Sequence, residues 1–168
     1  MEKRDLYDIN RNLTGETIYK SDSIPNGNFI LVVLSFIQNS KGEFLIQKRS
    51  VQKHGKYGST GGHAKTGETS IQAMMTEINE EIGLTINEDE LNLVYSGRDD
   101  IDKVFFDLYY IKKDFSTDSL TLQEEEVASV KWMTIDEIKQ LISTNEFLDS
   151  HVDEFYKILD YLNNWYLI

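Results

Sequence analysis

Three glutamates, Glu77, Glu80 and Glu81, fall within five consecutive positions, just after a stretch rich in glycine: Gly55, Gly58, Gly61, Gly62 and Gly67. The surrounding pattern predicts a helix from about Ser70 to Ile82. Residues three and four apart share a helix face, so Glu77 stands beside both other carboxylates. On an arbitrary helix such a cluster is a solvated acidic face. Here it follows Gly58-Ser59-Thr60-Gly61-Gly62-His63-Ala64-Lys65-Thr66-Gly67-Glu68. Glycine lets backbone carbonyls and amides approach a ligand closely. Magnesium takes oxygen ligands: a few carboxylates, some waters and substrate phosphate oxygens. A carboxylate helix beside a flexible glycine loop offers half of such a shell.

The helix carries its own start and stop signals. Thr69 and Gln72 form a capping box, Ile71, Met74, Met75, Ile78 and Ile82 recur at helical spacing as one apolar face, and Gly83 is placed as the C-terminal cap. Upstream, Leu6 to Asn10 and Thr17 to Lys20 read as strands of a hairpin, closed by Arg11-Asn12-Leu13-Thr14-Gly15. Pro25 marks a loop. Phe29 to Ile37 is an apolar, β-branched run and reads as a buried strand, returning through Asn39-Ser40-Lys41-Gly42 into a strand from Glu43 to Arg49. Leu91 to Tyr95, Val104 to Ile111 and Val127 to Met133 are further strands. Thr134 and Glu137 form a second capping box, opening a helix to about Ile142, and Asp149 or Ser150 starts a last helix toward Trp165. Strands mixed with helices predict an α/β fold with a mixed sheet covered on both faces. One domain over 1–168 is expected, with a hairpin and loop at 1–27 and the main body at 28–168.

The 168 residues suffice for one domain with a real core. No cysteine is present, which excludes disulfides, thiolate metal sites and cysteine nucleophiles. Seventeen basic and 29 acidic side chains give a net charge of -12, which disfavours a nucleic-acid polymer or an anionic membrane as partner. It would also repel a phosphorylated small molecule unless metal ions or local cations intervene. No apolar run approaches the roughly 20 residues that span a bilayer, and the charged N-terminus leads into no signal segment, so a cytoplasmic protein is expected.

The spacing Gly62, Glu68, Thr76-Glu77-Ile78-Asn79-Glu80-Glu81-Ile82-Gly83-Leu84 resembles the signature of the Nudix hydrolase family. Every fixed position matches except one: the family has arginine where this chain has Thr76. The resemblance extends to Phe44 to Arg49 before the signature and to Glu126 to Met133 with Asp136-Glu137-Ile138 after it. With Gly61-Gly62-His63, the pattern is similar to bacterial Nudix proteins grouped near isopentenyl-diphosphate isomerases. It covers roughly Phe29 to Ile142 firmly.

The resemblance implies a Nudix-like α/β/α sandwich and hydrolysis of a phosphoanhydride bond in a nucleoside diphosphate linked to another group. Glu77, Glu80 and Glu81 would hold Mg²⁺ or Mn²⁺, with Glu77 or Glu80 also polarising the attacking water. The Gly61 carbonyl would add a ligand, and Glu126, chosen among Glu124 to Glu126, would join them. Glu68 would brace the loop, with Gly62 and Gly83 structural. Arg49 and His63 are the candidates for substrate contact; Lys53, Lys56 and His54 lie nearby. Tyr57, Phe105, Phe106, Tyr109 and Tyr110 could stack a base. The implied partner is a small, nucleotide-derived phosphorylated metabolite, and a homodimer is compatible with the chain.

The departure at Thr76 leaves two alternatives. Threonine offers neither the charge nor the length of the arginine thought to orient the glutamates, so the chain is either a differently organised hydrolase or a Nudix-fold binding or regulatory protein. An isopentenyl-diphosphate isomerase would resemble its family in using a catalytic cysteine, and this chain has none.

Overall fold

The computed structural model describes residues 1–165; the last three positions of the expected domain lie outside the described residues. Its strands are β1 (Lys3–Tyr7), β2 (Leu13–Tyr19), β3 (Ile30–Gln38), β4 (Phe44–Arg49), β5 (Tyr57–Gly58) and β6 (Thr60–His63). Helix α1 (Ser70–Ile82) follows, then β7 (Asn92–Asp99), β8 (Val104–Lys112), β9 (Val127–Met133), α2 (Ile135–Ser143) and α3 (Asp149–Trp165).

A seven-stranded mixed sheet forms the centre, in the order β5-β4-β3-β8-β7, with β6 paired to β3 and β9 to β4. The long apolar run of β3 lies parallel to β8 over nine consecutive partners, from Ile30 opposite Val104 to Gln38 opposite Lys112. Both faces of β3 are buried, as expected for a strand without alternation. One face packs Leu31, Val33 and Ile37 with Met74, Ile78 and Ile82 of α1. The other packs Leu34 and Phe36 with Ile138 of α2 and Phe155 and Ile158 of α3. Helices on both faces of a mixed sheet give the α/β architecture the pattern predicts.

Two expectations need correction. The glycine-rich stretch is not simply a loop. β6 runs through it, antiparallel to β3, with Gly62 opposite Val33 and Gly61 opposite Leu34. Glycine has little strand preference of its own, and the tertiary edge of β3 overrides it. β3 and β4 pair only at Gln38 and Phe44, which leaves the rest of that edge open to β6. The hairpin strands also start earlier than expected, because Asp8 builds the turn by accepting the backbone N–H groups of Asn10 and Asn12, each at 2.9 Å.

The hairpin of β1 and β2 is fastened to the sheet. Tyr7 and Phe29 exchange backbone hydrogen bonds at 2.8 and 2.9 Å. Arg11, with φ of 63°, donates from Nη1 to Oδ1 of the buried Asp107 at 2.8 Å, and Ser96 Oγ donates to the same oxygen at 2.7 Å. Burial alone would raise the Asp107 carboxyl; the Arg11 and serine hydrogen bonds hold it below its ordinary value instead.

Candidate active site

Helix α1 begins and ends where the sequence places it. Thr69 accepts the N–H of Gln72 and Gln72 returns the bond at 2.9 Å. Gly83 closes the helix in the left-handed region at φ 68°, donating to the Asn79 carbonyl at 2.9 Å. A Cβ there would also meet the Thr121 backbone nitrogen at 2.9 Å, so glycine is required twice over. The end of the helix is covered by the β8–β9 connection: Thr121 N–H donates to the Ile82 carbonyl and Gln123 N–H to the Glu81 carbonyl. These bonds satisfy carbonyls that a helix terminus leaves orphaned. They also bring the segment containing Glu126 to the end of α1 that carries Glu81.

The three helix glutamates occupy different environments. Glu80 is exposed and ion-paired to Lys65 at 2.5 Å. Glu77 lies against the backbone of β6, so closely that a Cβ on Gly62 would fall on its carboxyl group. Glu81 is 8% exposed rather than on a solvated face. There it accepts a hydrogen bond from Gln47 Nε2 at 3.0 Å, and Gln47 Oε1 in turn accepts from Thr60 Oγ1 at 3.3 Å. This chain fills the opening between β4 and β6. Burial pushes Glu77 up to about 7, helped by the Glu80 charge. Burial pushes Glu81 up to about 8, against the Gln47 hydrogen bond and with the Glu77 and Glu126 charges adding to the rise.

Glu68 links the loop entering α1 to the helix itself. Glu68 Oε2 accepts the Lys65 N–H at 2.8 Å, while Oε1 accepts the Thr76 hydroxyl at 2.8 Å. Thr76 therefore does reach a signature glutamate. Lys65, fifteen positions before Glu80, is ion-paired to that carboxylate.

Of the three consecutive glutamates after β8, Glu124 and Glu125 are exposed, whereas Glu126 is half-buried and ion-paired to Lys53 at 3.2 Å. Ser50 fixes this segment by donating its N–H to the Glu126 carbonyl at 3.0 Å and its hydroxyl to the Glu125 carbonyl at 2.7 Å. Arg49, opposite Val127 in the β4–β9 ladder, is near enough for its charge to favour ionised Glu81. Gly61 sits on β6 with room for no side chain, since a Cβ would lie 2.5 Å from the Val33 carbonyl oxygen.

His63 ends β6. It is held neutral, its pKa lowered to about 4 by burial and then by the charges of Arg4, Lys20 and Lys53. The other neighbours are structural. His54 closes a short 3-10 turn at φ 71°, and Lys56 donates to Asn145 at 3.2 Å. Phe105, Tyr109 and Tyr110 are buried in the core, and Phe106 packs against Tyr95. Of the aromatic candidates for base stacking, only the half-buried Tyr57 borders the glycine strands on which the site is built, lying on β5 and paired to Lys48.

Sequence reasoning missed Gln47 and His151. Gln47 is a lone amide in an apolar strand, and a buried polar side chain implies a partner. His151 accepts the Ser59 N–H at Nδ1, 3.1 Å away, and presses on Gly58; no local signal on α3 marks it.

Carboxylates of this kind suit a hard divalent cation. Glu77 and Glu81 are both desolvated and mutually repelling, and a cation between oxygen donors relieves both penalties. Among the described residues no three acidic or histidine side chains stand together so as to hold a metal ion by themselves; Lys65 holds Glu80 and Gln47 holds Glu81. An open groove of about 560 Å³ runs beside Lys65 and Glu80, lined also by Glu2, Asn79, Gly83 and Thr121 to Gln123. Among the described residues no helix is long and apolar enough to cross a membrane.

Comparison with known proteins matches the NUDIX domain model to residues 29–155. A Nudix hydrolase of Listeria monocytogenes is 39% identical over 152 residues, covering 88% of this chain and 89% of the relative. Among solved structures, a protein of Deinococcus radiodurans has a TM-score of 0.69 at 23% identity, over 87% of this chain and 91% of the other. The NUDIX domain of Shewanella oneidensis NrtR, solved with ADP ribose, has a TM-score of 0.64 at 16% identity, over 80% and 88%. These two likenesses show the fold.

Proposed function

This chain belongs to the Nudix hydrolase family, and from that premise we propose that it hydrolyses a phosphoanhydride bond in a small nucleotide-derived metabolite with Mg²⁺ or Mn²⁺. The observation that carries the reading is the pairing of Glu77 with Gly62 and of Glu81 with Gln47: two signature carboxylates held at fixed positions in a desolvated setting, with the third, Glu80, lining an open groove.

In this reading Glu77, Glu80 and Glu81 are the cation ligands, with the Gly61 carbonyl and Glu126 at the edge of the set. When bound, the cation neutralises phosphate oxygens and acidifies water. The chain's own groups do the rest. Glu77 or Glu80 accepts a proton from the attacking water. Gln47 and Thr60 hold Glu81 in one rotamer. Glu68 and Thr76 keep the glycine strand registered against α1. Arg49 and neutral His63 contact the substrate; an imidazole that stays neutral can accept or donate a hydrogen bond without adding charge.

Screening phosphomonoester release from nucleoside triphosphates, dinucleoside polyphosphates, ADP-ribose and other sugar nucleotides tests the proposal. Turnover that needs Mg²⁺ or Mn²⁺ and stops with EDTA supports it. A folded protein that binds one of these ligands but turns over none supports the binding-protein alternative raised by Thr76.

A further inference from the structure

Arg4 is nine-tenths buried on β1, yet its Nε has no hydrogen-bond partner. Its nearest acidic atom is Oε1 of Glu2, at 3.7 Å, beyond hydrogen-bonding range. Leaving a buried cationic donor unbonded is costly, and a guanidinium carries a planar fork suited to carboxylate or phosphate. The strand that carries it is not loose. The residues on either side of Arg4 are bonded to the loop that leads into α1: Thr66 N–H donates to the Lys3 carbonyl at 2.9 Å, and Gly67 N–H to Asp5 Oδ2 at 2.8 Å. Glu2 lines the same groove as Lys65 and Glu80.

We propose that Arg4 is a substrate-binding residue, its guanidinium reaching past Glu2, which lines the groove beside Glu80, to take a phosphoryl oxygen of the diphosphate group. The proposal rests on the hydrolase reading for the nature of the ligand. It gives the hairpin a role in recognition as well as packing. In a chain of net charge -12, a guanidinium fixed at this position would offset part of the long-range repulsion of a diphosphate. Glu2 competes with the ligand for Arg4 in the free protein.

The test is calorimetric titration of the full chain with methylenediphosphonate, an uncleavable diphosphate, in saturating Mg²⁺. Parallel titrations use Mg²⁺ alone. Arg4→Gln is expected to weaken diphosphonate affinity tenfold or more with Mg²⁺ affinity unchanged, and Arg4→Lys to fall between. Glu2→Gln is expected to tighten diphosphonate binding several-fold, and it decides the matter if Arg4→Gln does not fold. Wild-type affinity in a folded Arg4→Gln, or unchanged or weaker binding in Glu2→Gln, overturns the assignment, as does absence of diphosphonate binding by the wild type. The two readings fail separately. Arg4-dependent binding without turnover on any substrate sinks the hydrolase reading alone, and metal-dependent turnover with KM unchanged in Arg4→Gln sinks this one alone.

Discussion

The Thr76 hydroxyl donates to Glu68 Oε1 at 2.8 Å, at the position where the Nudix signature has arginine. One oxygen of Glu68 is held by the helix and the other by the Lys65 N–H, so the loop and α1 are joined without a guanidinium. Lys65 brings a cation to the same helix, paired with Glu80.

Removing the Thr76 hydroxyl should therefore matter more than restoring the arginine. Thr76→Val leaves Glu68 Oε1 without its donor and should lower stability by about 1 kcal/mol, read by denaturant unfolding. Thr76→Ser should stay near wild type. Thr76→Arg should not raise turnover, since brace and cation are both already supplied. A several-fold rise would show that the missing arginine limits the chain after all.

Gly62→Ala is the sharpest geometric test of the site. Its Cβ would fall on the Glu77 carboxyl group, so the side chain must leave its position. The variant should fold, because Gly62 takes no left-handed φ, yet turnover should fall by about tenfold or more, the scale on which misplacing a reacting group acts. Steady-state kinetics with circular dichroism as the folding control would check it.

Acid sensitivity should have an identifiable source in His151. Its pKa is lowered to about 4 by burial, below the ordinary 6.5, so the folded state binds fewer protons than the unfolded chain near pH 5. Its contribution is fully present above about 6.5 and is lost as pH falls toward 4. Replacing it with Gln, which can still accept from Ser59, should flatten the stability profile between pH 6.5 and 4. An unchanged slope in thermal unfolding across that range would contradict the assignment.

Arg11 and Asp107 make the hairpin part of the stable fold. Arg11→Leu strands a buried carboxylate and should cost about 3–5 kcal/mol. Arg11→Leu with Asp107→Asn should recover part of that loss. Urea denaturation of both variants separates the buried-charge penalty from simple loss of contact.

What the sequence made legible follows from local physics. The capping boxes at Thr69 and Thr134, the apolar stripe of α1 and the Gly83 stop depend on residues within one or two helical turns, and they lie where expected. The β3 and β8 runs declared themselves by hydrophobicity alone. The pairings across the chain did not. Nothing near Gln47 points to Glu81, 34 positions away, and nothing near Ser59 points to His151. β6 was hidden because its glycines suit a loop, and only the free edge of β3 makes them a strand. Arg4 reads as one charge in a charged terminus until the fold buries it.

In the proposed function Glu77 and Glu81 are working metal ligands. Its most direct test is turnover of the best substrate by wild type, Glu77→Gln and Glu81→Gln, each with Mg²⁺ and with EDTA, beside the Mg²⁺ affinity of each protein. The account predicts folded variants that lose at least a hundredfold in turnover and bind Mg²⁺ more weakly, with no activity in EDTA for any of them. Full turnover in Glu81→Gln, or wild-type activity that survives EDTA, would contradict it.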